Sequence, residues 1–207
     1  MRALLVVLAV AVLLVVFPPV RIRPLKQGAA PAAVPGSVDV SRVAEKFWSD
    51  KLLAAAVEPV DVRTLMMALD ADPARAMEQY GHRAGIGGNA VFLVKGAGVV
   101  EKIDASGVWL GVDAPKPLRA VLILGPIFGN ALRDSTGLLS LNDFNSFDFN
   151  ALGAALNRLA EERVQPQLRN DASVGSPLAF LGAGELDDAS AEQPILKLVP
   201  IRVSRQQ

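Results

Sequence analysis

Along this chain the apolar positions change their period several times, and each change marks an element. Ala3 to Val20 is apolar without interruption, eighteen residues with no charge, and Arg21 and Arg23 close the run. A helix of that length is about 27 Å long, close to the thickness of a bilayer core. Gln27 to Val38 (QGAAPAAVPGSV) is small and proline-rich and reads as a tether. From Asp39 the spacing turns helical. Val40, Ala44, Phe47, Trp48, Leu52 and Ala55 mark one face of a first helix, with Asp39 as its N-cap. Asp61 opens a second, where Val62, Leu65, Met66 and Leu69 follow the i, i+3, i+4, i+7 pattern. Asp72 caps a third, with Pro73 in its first turn and Gly81 at its end. None of the three is long enough to stand alone in water, so they must pack on something.

From Asn89 the period becomes that of strands. NAVFLVKGAGVVEKID reads as one long strand, or two, bent at Gly96 and Gly98. SGVWLGVD is a second strand, in which Val108, Leu110 and Val112 alternate with Trp109, Gly111 and Asp113. PLRAVLILGPI is a third, and LLSLNDF at Leu138 to Phe144 reads as a further short one. A longer helix is expected over about Asn150 to Val164, with Phe149, Leu152, Leu156, Leu159 and Arg163 on one stripe. SPLAFLGAGEL and PILKLVPIRVS close the chain as two more strands.

A meander of three strands, a helix and two final strands is the order of an OB-like five-stranded antiparallel barrel. The fold class read here is therefore α+β: an N-terminal transmembrane helix, a small helical layer, then that barrel with a helix before its last two strands. The alternative is a split antiparallel sheet with helices on one face. The corresponding divisions are an anchor or uncleaved signal over residues 1–26, a linker over 27–38, a helical subdomain over 39–88, and the β domain over 89–207, its inserted helix at about 150–164.

Charge sharpens the picture. Arg2, Arg21, Arg23 and Lys26 take four of the 21 basic residues, which leaves 17 against 21 acidic ones in the body. A mildly acidic body argues against nucleic acid, whose phosphates need clustered cations. There is no cysteine, which excludes disulfides, thiolate metal sites, thiol catalysis and a lipid-accepting cysteine. The apolar segment then has three readings. A buried core helix fits poorly, since Pro18-Pro19 and the basic, proline-rich exit do not lead into a packed domain. A cleaved signal would use the A-x-A at Ala30 to Ala32, well past the apolar run. An uncleaved single-pass anchor in the inner membrane, contacting lipid through residues 3–20, fits the length better. By the positive-inside rule alone, Arg21, Arg23 and Lys26 would hold the C-terminal side in the cytoplasm.

The runs LDADPARAMEQYGHR, FLVKGAGVVEKID, ILGPIFGNALRD, LSLNDF and FLGAGEL…LVPIRV, taken in order, resemble a bacterial domain-of-unknown-function family labelled predicted periplasmic lipoproteins. The similarity covers about Asp39 to Val203. The resemblance implies a membrane-tethered body on the periplasmic side, opposite to the positive-inside reading, and genes that often stand beside those of sugar ABC transporters. It implies no reaction, ligand or catalytic residue. The chain departs from the family's label in lacking the lipidated cysteine, so a protein anchor would replace the lipid.

Few residues carry candidate chemistry. NDFNSFDFN, Asn142 to Asn150, holds three of the eight Phe among Asn and Asp. It reads either as a binding rim, with Asn142, Asp143 and Phe144 facing a sugar or peptide, or as core phenylalanines with a turn at Asn142-Asp143 and a cap at Asp148 or Asn150. Arg133 and Asp134 either bind a carboxylate or sugar hydroxyl or form a structural pair. Asp143 with Asp148 is the one pair on which a carbohydrate hydrolase could be built. His82 is the only histidine, and no G-x-S-x-G elbow accompanies it. GIGGN and KGAG complete no phosphate-binding motif. No metal, no cofactor and no catalytic set is expected. The function read from the sequence is a non-enzymatic, membrane-anchored envelope accessory or binding protein. Its partner would be an envelope or ABC-transporter protein, and its small-molecule ligand is unassigned. The alternatives are that hydrolase and an oligonucleotide-binding OB domain.

Overall fold

A computed structural model describes residues 38–83, 90–113, 118–187 and 195–206. The apolar segment 3–20 and the tether up to residue 37 lie outside these residues. Among the described residues no helix is long and apolar enough to cross a membrane.

The three N-terminal helices start where their caps direct. Helix α1 (Val40–Phe47) opens on Asp39, whose carboxylate accepts from the Arg42 N–H. It widens into a π-helical turn at Trp48–Leu53, where the Ser49 hydroxyl donates to the carbonyls of both Glu45 and Lys46. Back-bonding of this kind by a serine hydroxyl weakens the regular ladder and bends a helix locally. Asp61 caps α2 (Val62–Ala71) and Asp72 caps α3 (Pro73–Tyr80) in the same way. Their buried faces are Ala44, Phe47, Trp48 and Leu52 on the first, Val62, Leu65, Met66 and Leu69 on the second, and Ala76 on the third.

The barrel follows. Two-residue strands β1 (Val60–Asp61) and β2 (Gly81–His82) lie along one edge of the long strand β3 (Val91–Asp104). Strands β4 (Gly107–Val112) and β5 (Leu118–Ile123) continue the meander, and β6 (Pro177–Asp187) and β7 (Ile195–Arg205) end the chain. The pairing runs β3-β4-β5-β7-β6 and returns to β3, a closed five-stranded barrel with β5 and β7 parallel. The first half of β3 pairs with β6 and its second half with β4, so β3 has to bend between them. Gly96, three residues before that changeover at Val99, has a packing reason: a Cβ there would lie 2.5 Å from Val62 Cγ1 of α2. Closure between β6 and β7 is equally tight, since a Cβ on Gly184 would meet the Lys197 carbonyl oxygen at 1.8 Å. Pro200, with no N–H to give, sits where the β6–β7 register shifts. The fold is thus mixed α+β on an OB-type barrel, and the interior is filled by alternate residues such as Val108, Leu110, Leu122, Leu196 and Leu198.

Between β5 and β6 run α4 (Ala131–Asp134), α5 (Ser146–Arg163) and α6 (Gln165–Asp171). Helix α5 packs against α1, α4 and β7, with Leu152, Leu156 and Leu159 buried. Two expectations are corrected here. Leu138 to Phe144 is not a strand but a loop carrying a 3-10 turn at Leu141–Asp143, because the Ser140 hydroxyl accepts from the Asn142 N–H and curls the backbone. The long helix begins at Ser146, four residues earlier than expected. Its cap is Asn145, whose side chain accepts from the Asp148 N–H while its own amide donates to the Asp148 carboxylate at 2.7 Å.

Candidate functional site

The connection from β5 to α5 is held in shape by side chains of the two helices that follow it. Asn157, Glu161 and Gln165 are spaced four apart and therefore line one side of α5 and the start of α6. Gln165 is buried and acts as a two-way partner for Gly125, accepting from its N–H at 3.0 Å and donating to its carbonyl at 2.7 Å. Glu161 accepts from the Ile127 N–H at 2.6 Å. The Asn157 amide donates to the carbonyls of Ile127 at 3.3 Å and Gly129 at 3.0 Å. Gly125 and Gly129 take positive φ, at 95° and 84°, which closes the turn between them. Ile127 points inward and is buried, whereas Phe128 points away and is 86 % exposed. A turn of fixed shape thus carries a bare aromatic tip.

Just beyond it, the predicted pair Arg133-Asp134 comes together in α4. The Arg133 guanidinium is buried and grips Asp134 with two bonds, at 2.6 and 3.1 Å. Its Nη1 donates to the Phe149 carbonyl at 3.1 Å and to the Asn150 side chain at 3.5 Å, and its carbon centre lies 3.7 Å from the Phe149 ring centre. Phe144 is half-buried against the same ring, with centroids 6.1 Å apart. Arg133, Asp134 and Phe144 therefore share one cluster centred on Phe149. Asn142 and Asp143 do not join it and stand exposed on the 3-10 turn. Of the three phenylalanines read either as a rim or as core, Phe149 is buried, Phe144 is partly so, and Phe147 is 73 % exposed, because it leaves the first turn of α5 on the solvent side. Asp148 is buried in the Asn145 cap, which separates its role from that of Asp143.

The outer surface of β3, β4 and β5 carries a second group. The Lys102 ammonium lies 4.0 Å from the centre of the Trp109 ring, and the Trp109 indole N–H donates to Asp104 at 2.9 Å. Lys102 pairs with Asp104, and Arg119 with Glu101. The ammonium of Lys102, the Trp109 indole and the Ser106 N–H hold the Asp104 carboxyl down to about 2 from its ordinary 3.8. Trp109 is thus a half-exposed hairpin clasp on the face opposite Val108 and Leu110. His82 leaves the helix end for β2, and its ring lies against Gly137, where a Cβ would come 2.7 Å from Nδ1. Among the described residues, no three His, Asp or Glu side chains converge as metal ligands.

The Asn157, Glu161 and Gln165 series escapes a reading that follows only apolar positions. Its signal was available in the sequence, as polar residues at helical spacing beside the apolar stripe.

A family model described as "Predicted periplasmic lipoprotein (DUF2291)" matches residues 10–204. Among solved structures, the crystal structure of an OB-fold protein from Thermotoga maritima aligns with a TM-score of 0.65 and 22 % identity, over 82 % of this chain and 99 % of that one. That likeness concerns the fold. No curated protein matches significantly.

Proposed function

Because the chain belongs to the family of predicted periplasmic lipoproteins, we propose that it is a membrane-tethered, non-catalytic accessory protein of the cell envelope, its body outside the cytoplasm beside a sugar-uptake transporter. The observation that carries this reading is the use made of polar side chains in the β5–α5 connection. Arg133, Asp134, Asn157, Glu161 and Gln165 bond to backbone or to one another, and Asp148 bonds to its Asn145 cap. They fix the shape of a surface and are not poised to exchange protons with a substrate. A shaped surface suits recognition of a partner. The uncharged run Ala3 to Val20 supplies a protein anchor in place of the lipid that a chain without cysteine cannot carry. The transporter partnership comes from the family resemblance.

Two measurements test the proposal. A reporter active only outside the cytoplasm, fused after Gln207, should be active; a silent reporter on a stably expressed fusion overturns the placement. The full chain, solubilised in detergent after crosslinking in cells, should bring a transporter subunit with it. Recovery of the chain alone, with no sugar-induced thermal shift, overturns the accessory role.

A further inference from the structure

We propose that the Leu124–Asn130 turn is a second, shallow membrane contact, with Phe128 inserting into the lipid interface. This rests on the anchored reading above. The seven residues LGPIFGN contain no ionisable side chain, and the carboxylate that reaches the turn, Glu161, is already bonded to the Ile127 N–H. Phe128 has the highest exposure of the large apolar side chains described, while its neighbours Ile127 and Leu132 are buried. Nothing lies within 4 Å of the Cβ positions that Gly125 and Gly129 lack, so each glycine leaves one side of the turn open. Much of its backbone needs no water. The Gly125 N–H and carbonyl, the Ile127 N–H and carbonyl and the Gly129 carbonyl are already bonded to Gln165, Glu161 and Asn157. Unpaired backbone groups are what ordinarily bar a non-helical turn from lipid.

Magnitude favours lipid over a protein pocket. One buried phenylalanine strengthens association by roughly ten- to a hundredfold. Alone, that would not recruit a body from solution, and a specific protein interface needs about 800 Å² on each side. A tethered body needs no recruiting. The seventeen residues from Arg21 to Ser37 span at most about 61 Å when fully extended. The turn is therefore held at high local concentration beside the bilayer, where a weak contact is enough to orient the body.

The chain has no cysteine, so Phe128→Cys creates a single labelling site, and Val174→Cys on the loop before β6, 68 % exposed in the parent, gives a control. Each full-length variant would carry an environment-sensitive fluorophore in vesicles of phosphatidylcholine and phosphatidylglycerol containing lipid-borne quenchers. The label at 128 should be quenched by lipid roughly threefold more than the label at 174, and be protected from aqueous iodide. Flotation with both labels equally open to iodide overturns the insertion and leaves the anchor standing. A label at 128 shielded from iodide yet untouched by lipid quenchers means contact with protein, and also overturns it. Failure of the chain to float with vesicles removes the anchor, and this inference with it.

Discussion

At the scale of single residues, the Arg133 guanidinium gives its donors to Asp134 and to the Phe149 carbonyl while lying over the Phe149 ring. The Arg133 side chain is 5 % exposed and that of Asp134 11 %. Removing one partner leaves the other's charge buried and unmatched, whereas replacing both by apolar groups removes the problem. Arg133→Ala should therefore cost about 3 kcal/mol of stability, and Arg133→Met with Asp134→Leu should cost far less. Urea denaturation of the three proteins decides it; a single variant as stable as the parent would mean the pair is idle. Asp104 makes a different prediction. Its carboxyl is lowered to about 2, first by the Lys102 ammonium and then by the Trp109 and Ser106 donors. A carboxyl lowered by folding adds stability that is complete above its unfolded value of 3.8, and this contribution fades as pH falls towards the folded value. The native Asp104 resonance should titrate near 2, and Lys102→Met should move that midpoint upward. A native midpoint at the ordinary carboxylate value would show the clasp to be open in solution.

At the scale of elements, the turn after β5 depends on α5 and α6 more than on its own sequence. Gln165 imitates a strand partner for Gly125, and nothing else described bonds that N–H. Gln165→Leu keeps the volume but orphans both groups, at a cost of about 2 kcal/mol. Amide exchange at Gly125 should accelerate about tenfold or more while barrel amides such as Leu110 stay protected. Equal acceleration throughout would mean that the turn unfolds only with the whole body. This element also marks where sequence reading stops. Asp39, Asp61 and Asp72 were legible as caps, because an N-cap bond is local and recurs at fixed offsets. The meander, the inserted helix and the last two strands were legible as an OB order from period alone. The run at Leu138 to Phe144 was not, since a few alternating apolar residues fit a strand and a capped 3-10 turn equally well. In the candidate site, Arg133 and Asp134 were visible as neighbours. Their third partner, Phe149, is sixteen residues from Arg133, and no short-range pattern joins them.

At the scale of the whole molecule, the barrel alone does not choose a ligand, because OB barrels carry oligonucleotides and oligosaccharides on the same strands. Charge does choose. Nucleic acid binding draws most of its strength from releasing counterions on phosphate neutralisation, so it needs cations that are free to meet phosphates. On the surface of β3 to β5, Lys102 already faces Asp104 and Arg119 already faces Glu101. The body from Gln27 onward has 17 basic against 21 acidic residues. A single strand lying across this face would have to break those pairs and would gain few released ions in return. The full chain in detergent should therefore leave the anisotropy of a labelled single-stranded oligonucleotide unchanged at low salt, with any affinity weaker than about 100 μM. If binding appeared near 1 μM and weakened steeply with added salt, the exposed ion pairs would have to be yielding to phosphate, and the oligonucleotide reading would displace the envelope one. Glu101→Gln with Asp104→Asn sharpens the test, because it frees Arg119 and Lys102 without touching the fold's interior. Weak salt-dependent binding should emerge in that variant alone, which would identify the paired acids as what keeps this barrel face from nucleic acid.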